Sequence, residues 1–82
     1  MRILFTGVGR RVELIQAFRE AALVLNKNLK IFGVDIDRTA PALAYCDYTQ
    51  QIVSMDNPRY IDELLKICNE NHIDLVIPTL EL

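Results

Sequence analysis

Residues 2–16 read RILFTGVGRRVELIQ. Arg2–Thr6 is a short, apolar, β-prone run, the pattern of a strand buried on both faces. Gly7-Val8-Gly9 breaks it. Leu14, Ile15, Phe18, Ala21, Ala22 and Leu25 then recur on one stripe, which predicts an amphipathic helix over roughly 10–25. Asn26-Lys27-Asn28 ends it. Strand, glycine turn and helix in that order open a βαβ unit. One detail resists this simple reading. A helix N-terminus carries partial positive charge and favours Asp or Glu, yet Arg10 and Arg11 stand there.

Working outward, Lys30–Asp37 (KIFGVDID) predicts a second strand that buries Ile31, Phe32, Val34 and Ile36. Asp37 and Thr39 are candidate caps and Pro41 suits a first turn, so 40–45 is expected to be a short helix. Residues 50–54 give a weaker third strand. Asp56-Asn57-Pro58 is the pattern of an N-cap followed by proline at the first helical position. The helix after it is expected to bury Ile61, Leu64, Leu65 and Cys68 and to end near Asn69 and Asn71. Asp74–Ile77 forms a fourth strand, halted by Pro78.

The order β-α-β-α-β-α-β with apolar strands predicts a Rossmann-like three-layer α/β/α fold around a four-stranded parallel sheet. Right-handed crossovers favour the strand order 3-2-1-4. Ligands of such sheets bind beyond the carboxyl ends of the strands, where the chain direction of the connections reverses. Here the ends that meet at that point are TGVGRR and PTLEL.

Composition narrows the class. The 82 residues suffice for one small domain, 51% hydrophobic and 24% charged, which is globular rather than disordered. The net charge of −2 gives no reason to expect a nucleic acid or an acidic membrane as partner. Cys46 and Cys68 form no CxxC, so they are expected as reduced, partly buried thiols, with no metal site. No apolar stretch approaches the ~18 residues of a membrane span. Met1 and Arg2 lead directly into the first strand, so a cytoplasmic protein without a signal peptide is expected. The chain stops where a strand enters a loop, and a fragment of a longer protein is expected. The uncovered edge of the fourth strand makes a homodimer an expected state of the isolated chain.

The loops at the predicted crevice carry the candidate chemistry. Gly7 and Gly9 let backbone approach a ligand, and the N–H groups that begin the helix favour an anion. Arg10 and Arg11 would add to that positive site, although surface arginines would read the same way. G-x-G is only a partial dinucleotide fingerprint, because Val12 stands where a third small residue is needed. Asp35 would suit a ribose hydroxyl, so an NAD-binding oxidoreductase domain is an alternative. No Walker lysine follows the glycines. Asp37 is either a ligand contact or a polar strand end. Thr79 and Glu81 leave the fourth strand at the crevice, where Glu81 would hold an amine or balance an arginine. His72 reads as structural, and no set of nucleophile, base and acid can be assembled.

Three segments carry a resemblance: ILFTGVGRR, GVDIDRTAPALAYCD, and PRYIDELLKICNENHIDLVIPTLEL. Together they resemble the N-terminal domain of ATP-grasp enzymes, in particular carbamoyl-phosphate-synthase-like proteins and the lysine-ligating enzyme of pyrrolysine synthesis. The resemblance implies a pre-ATP-grasp domain over residues 1–82 that binds no cofactor itself. ATP and magnesium would be held by downstream ATP-grasp domains. The whole enzyme would activate a carboxylate as an acyl phosphate for attack by an amine, while this domain, inactive alone, walls the small-molecule carboxylate or amine site. The resemblance places Gly7, Gly9, Arg10, Arg11, Thr79 and Glu81 at the substrate, flanked by Asp35 and Asp37, and assigns no catalytic residue. A non-catalytic interaction domain with the same fold is the other alternative.

Overall fold

The computed structural model describes residues 1–79. Its elements are β1 (Arg2–Thr6), α1 (Val12–Val24), β2 (Lys30–Asp35), a 3-10 segment (Pro41–Tyr45), β3 (Tyr48–Gln51), α2 (Tyr60–Glu70) and β4 (Leu75–Pro78). The four strands form one sheet in the order β3-β2-β1-β4, and every pairing is parallel. This is the expected Rossmann-like arrangement.

Side chains alternate across a strand, and here both alternate sets are apolar. Ile3 and Phe5 of β1 face one side with Ile31 of β2, and there Ile15 of α1 and Leu43 of the 3-10 segment cover them. Phe18 of α1 meets Phe5 edge to face, with ring centroids 5.2 Å apart. Leu4, Phe32 and Val34 face the other side and pack with Ile52 and Ile67 of α2. The sheet therefore has a core on each face. Each fully buried side chain of this size contributes about 1.5–3 kcal/mol of transfer free energy.

Gly33 decides how closely the 3-10 segment approaches. A Cβ there would lie 2.5 Å from the Cys46 sulfur and 3.1 Å from a Leu43 methyl. Both cysteines are free and half-buried. Burial pushes the Cys46 thiol up to about 11, with Asp47 adding to the effect and Arg19 opposing it, so the group stays protonated near neutral pH.

Both helices end in the same device. Asn26 and His72 adopt left-handed backbone, with φ of 54° and 52°. The following N–H groups reach back, Lys27 to the Ala22 carbonyl and Ile73 to that of Cys68, which completes a Schellman motif in each case. The sequence pointed to Asn71 at the second helix end. Asn71 is indeed its C-cap, and the next residue, His72, takes the left-handed position.

Several boundaries differ from expectation. β3 is Tyr48–Gln51 rather than 50–54. Its register is set by Tyr48, which pairs with Phe32 and stacks on its ring at 4.7 Å. β2 ends at Asp35, so Val53 and Ser54 have no strand to pair with, and Ile52 turns into the core. Ile36, expected to be buried, lies past the strand and is exposed. Helix α2 starts at Tyr60, and the Asn57 carboxamide oxygen accepts the Arg59 N–H in the turn before it. Its buried stripe accordingly contains Tyr60, Leu64, Ile67 and Cys68, while Ile61 and Leu65 are exposed. Ala21 of α1 and Leu25, its C-cap, are likewise exposed. Asp37 and Thr39 do not cap the 3-10 segment, because they bond to each other. Leu75 and Val76 of the edge strand β4 are exposed, and no helix among the described residues is long and apolar enough to cross a membrane.

Asp47 locks the α1 face. Its carboxylate accepts the Ile31 N–H at 2.8 Å and pairs with the Arg19 guanidinium at 3.2 Å. Burial works against its charge, but the Ile31 N–H and Arg19 outweigh that effect and lower its pKa. A depressed folded-state pKa contributes stability above the unfolded value near 3.9, lost as pH falls through the folded one. We expect urea stability to decline from about pH 5 towards pH 2. Asp47→Asn should shallow that decline and cost about 1 kcal/mol at pH 7, allowing for partial solvent screening. An unchanged acid slope in the variant would contradict the assignment. Asp37 contributes in the same direction, because the Thr39 hydroxyl and N–H lower its pKa, so the variant should keep some acid sensitivity.

Candidate functional site

The crevice expected from the fold lies beyond the carboxyl ends of β1, β2 and β4. Parallel pairing fixes its walls. Thr6 is in register with Val34 on one side and Pro78 on the other, so the residues after each strand emerge side by side. Gly7 takes φ of +63° and Gly9 φ of +48°, conformations that cost other residues steric strain. Between them Val8 is fully buried and anchors the loop in the core.

Most of the loop's amides are spent inside the protein. Gly7 N–H donates to the Val34 carbonyl at 3.0 Å, and Gly9 N–H donates to Asp35 Oδ2 at 2.8 Å. Arg11 N–H reaches the Val8 carbonyl and Val12 N–H that of Arg10. The Gly9 carbonyl in turn accepts the Ala42 N–H from the 3-10 segment at 3.0 Å. A phosphate cradle needs such amides turned towards the ligand. In this loop they serve the fold.

Asp35 is the centre of that arrangement. It is 9% exposed. While Oδ2 holds Gly9, Oδ1 accepts the Asp37 N–H at 2.9 Å. One carboxylate thus ties the glycine loop to the loop after β2. Asp37 lies one step further out, its Oδ1 accepting both the N–H and the hydroxyl of Thr39.

Thr79 closes the β4 side. It is 6% exposed, and its hydroxyl lies 2.7 Å from the Thr6 carbonyl and 3.0 Å from that of Gly7. Its N–H also donates to Thr6. The strand end is pressed against the glycine, since a Cβ on Gly7 would stand 2.6 Å from the Thr79 carbonyl oxygen.

The arginines are placed differently from expectation. Helix α1 begins at Val12, with Arg11 as its N-cap and Glu13 in its first turn. Arg10 and Arg11 therefore precede the helix, on the loop, and the favoured acid occupies the helix start. Arg10 is exposed. Arg11 is half-exposed, and its Nε pairs with Glu13 Oε1 at 3.2 Å. The apparent conflict with the helix dipole came from starting the helix two residues early.

The described structure thus pairs Gly7 with Thr79 and Gly9 with Asp35 by direct contact, the two pairs linked through Val8, with Asp37 attached through Asp35 and the two arginines on the loop beside them. Glu81 lies outside the described residues. Sequence reasoning missed Glu13, Val8 and Ala42. The acid in a first helical turn signalled the first, and an apolar residue between two glycines the second. Ala42 acts through its backbone, which leaves no sequence signal.

Among the described residues no three His, Cys, Asp or Glu side chains stand together as metal ligands. An open concavity of about 460 Å³ lies elsewhere, at the ends of β2 and β3 and lined by Ile36, Gln51, Ile52, Ser54, Asn57 and Glu63 among others. It contains none of the residues expected at substrate. Its lining brings one carboxylate and no cation, so the crevice at β1 and β4 remains the better candidate.

Comparison with known proteins places the whole chain in a family. A family model described as "PylC-like, N-terminal domain" matches residues 3–82. No curated protein matches the chain.

Proposed function

The chain belongs to the PylC-like N-terminal domain family, the pre-ATP-grasp domain of the pyrrolysine-pathway ligase, and from this premise we propose that it forms the substrate-side wall of an ATP-dependent carboxylate–amine ligase. The observation that carries the reading is the pair Arg10 and Arg11 on the loop beyond β1, at a crevice whose backbone amides are largely committed. Guanidinium groups match the geometry of a carboxylate. The role of this domain is to bind and orient a substrate carboxylate, or the acyl phosphate made from it.

The residues in hand do not fit nucleotide or magnesium. No Walker lysine follows the glycines, the Gly9 amide is spent on Asp35, and no acidic metal cluster stands among the described residues. Those groups belong to downstream ATP-grasp domains in this proposal, and the 82 residues are inert alone. The NAD-binding alternative is disfavoured by the same geometry. Both Asp35 oxygens hold backbone N–H groups at the position where a ribose hydroxyl would be bound.

The test is amine-dependent ADP formation by the intact parent protein, across a panel of amino-acid carboxylates. ADP release that requires both a carboxylate and an amine supports the proposal. Saturable micromolar NADH binding by the 82-residue chain, with no such ATP turnover in the parent, would replace it with the oxidoreductase reading.

A further inference from the structure

A carboxylate that accepts from a glycine-loop N–H stands where a bound anion otherwise would. Asp35 Oδ2 is 2.8 Å from Gly9 N, and Oδ1 is 2.9 Å from Asp37 N. The side chain is 9% exposed. The backbone around it is fixed as well, since the Asp35 carbonyl accepts the Ile52 N–H at 3.0 Å, and Val34 holds Gly7. From these contacts we propose that Asp35 is a positioning residue, a resident anion that takes up the Gly9 N–H of the glycine loop and sets the loop's spacing from the loop after β2.

Two consequences follow from the contacts. The ligand meets arginine side chains rather than a backbone nest, which favours a carboxylate over a pyrophosphate. The orientation of Arg10 and Arg11 also depends on Asp35, because Gly9 immediately precedes them and is held on both sides, by Asp35 at its N–H and by Ala42 at its carbonyl. Asp35 acts through the loop without touching substrate. The effect on substrate rests on the ligase reading; the effect on the loop does not.

Amide NMR of the 82-residue chain reads the loop directly. In Asp35→Ala the Gly9 and Asp37 amides should lose protection from hydrogen exchange and shift together. Formate, a free carboxylate small enough for the vacated space, should restore both signals, which a general loss of stability would not allow. Asp35→Asn offers one carbonyl oxygen in place of two, so one of the two amides should keep its shift and the other should move. Gly9 and Asp37 signals unchanged in Asp35→Asn, or loss in Asp35→Ala that formate does not reverse, would overturn the proposal. If Asp35→Ala does not fold, the Asn variant alone decides. In the intact enzyme Asp35→Asn should raise KM for the carboxylate about tenfold, on the scale of misplaced binding groups. An unchanged KM there, beside an effect of Arg10 and Arg11 replacement, overturns the substrate part alone. No effect of any of these replacements would instead count against the ligase reading.

Discussion

Gly7→Val should remove most of the isolated chain's stability. Gly7 sits at φ of +63°, and a Cβ there would lie 2.6 Å from the Thr79 carbonyl oxygen. Left-handed backbone costs a non-glycine residue roughly 1–2 kcal/mol, and a β-branched residue tolerates it worst. The contact adds to this because its partner is backbone. Thr79 cannot yield by changing rotamer; β4 would have to move, and with it the hydrogen bonds from Thr79 to Thr6 and Gly7. A total loss of about 3–4 kcal/mol is expected. A domain of this size has roughly 5 kcal/mol in all. With a urea m-value of about 1 kcal/mol/M for a small domain, the midpoint should fall by about 3 M. Gly7→Ala, with no branching, should lose about 2 kcal/mol. A midpoint within about 0.3 M of the parent for the Val variant would show that β4 does not press on the glycine loop.

That contact explains why the fold was more legible in the sequence than the site. The strands β1, β2 and β4 are apolar runs bounded by glycine, asparagine or proline, and apolar runs of that length have few alternatives to a sheet; β1 and β2 are buried on both faces, while β4 is an exposed edge. Strand order then followed from crossover handedness. β3 was misplaced because an edge strand of four exposed residues carries little hydrophobic pattern; its register comes from Tyr48 stacking on Phe32, a contact between residues 16 apart in sequence. The start of α1 was misplaced for a local reason. RRVE continues a helical pattern, but the Val8 carbonyl takes the Arg11 N–H and closes a turn first.

The site residues split in the same way. Gly7 and Gly9 were identifiable because only glycine makes their backbone conformations inexpensive. Asp35 was identifiable as a polar residue at a strand end, but its partners were not, since they depend on how β1 and β2 pair. Thr79 looked like a ligand contact, yet its hydroxyl lies against two backbone carbonyls. Glu81 lies outside the described residues and stays a candidate from the sequence alone. Hydrogen-bond partners across elements are set by register, and register is written in the whole sheet rather than in any motif.

The second large effect concerns Arg10 and Arg11. If they present guanidinium groups to a substrate carboxylate, replacing both with Ala removes that recognition. Hydrogen bonds between charged partners are worth about 1.5–3 kcal/mol each, which corresponds to a rise in KM of about tenfold to a hundredfold per lost contact. The fold should be indifferent by comparison. Arg10 is exposed, and Arg11 is half-exposed and pairs with Glu13; an ion pair between solvent-exposed side chains contributes at most about 1 kcal/mol. Glu13→Gln should therefore leave substrate use nearly unchanged, which separates the arginines' role towards substrate from their role towards the helix.

The deciding measurement is steady-state kinetics of the intact parent protein in the proposed ligase reaction, carrying Arg10→Ala and Arg11→Ala, with the proposed carboxylate varied and the urea midpoint of the 82-residue chain measured alongside. KM should rise at least about tenfold, with the midpoint moved by less than about 1 M. An unchanged KM in a folded double variant would contradict the proposed carboxylate recognition and leave the two arginines as surface charges.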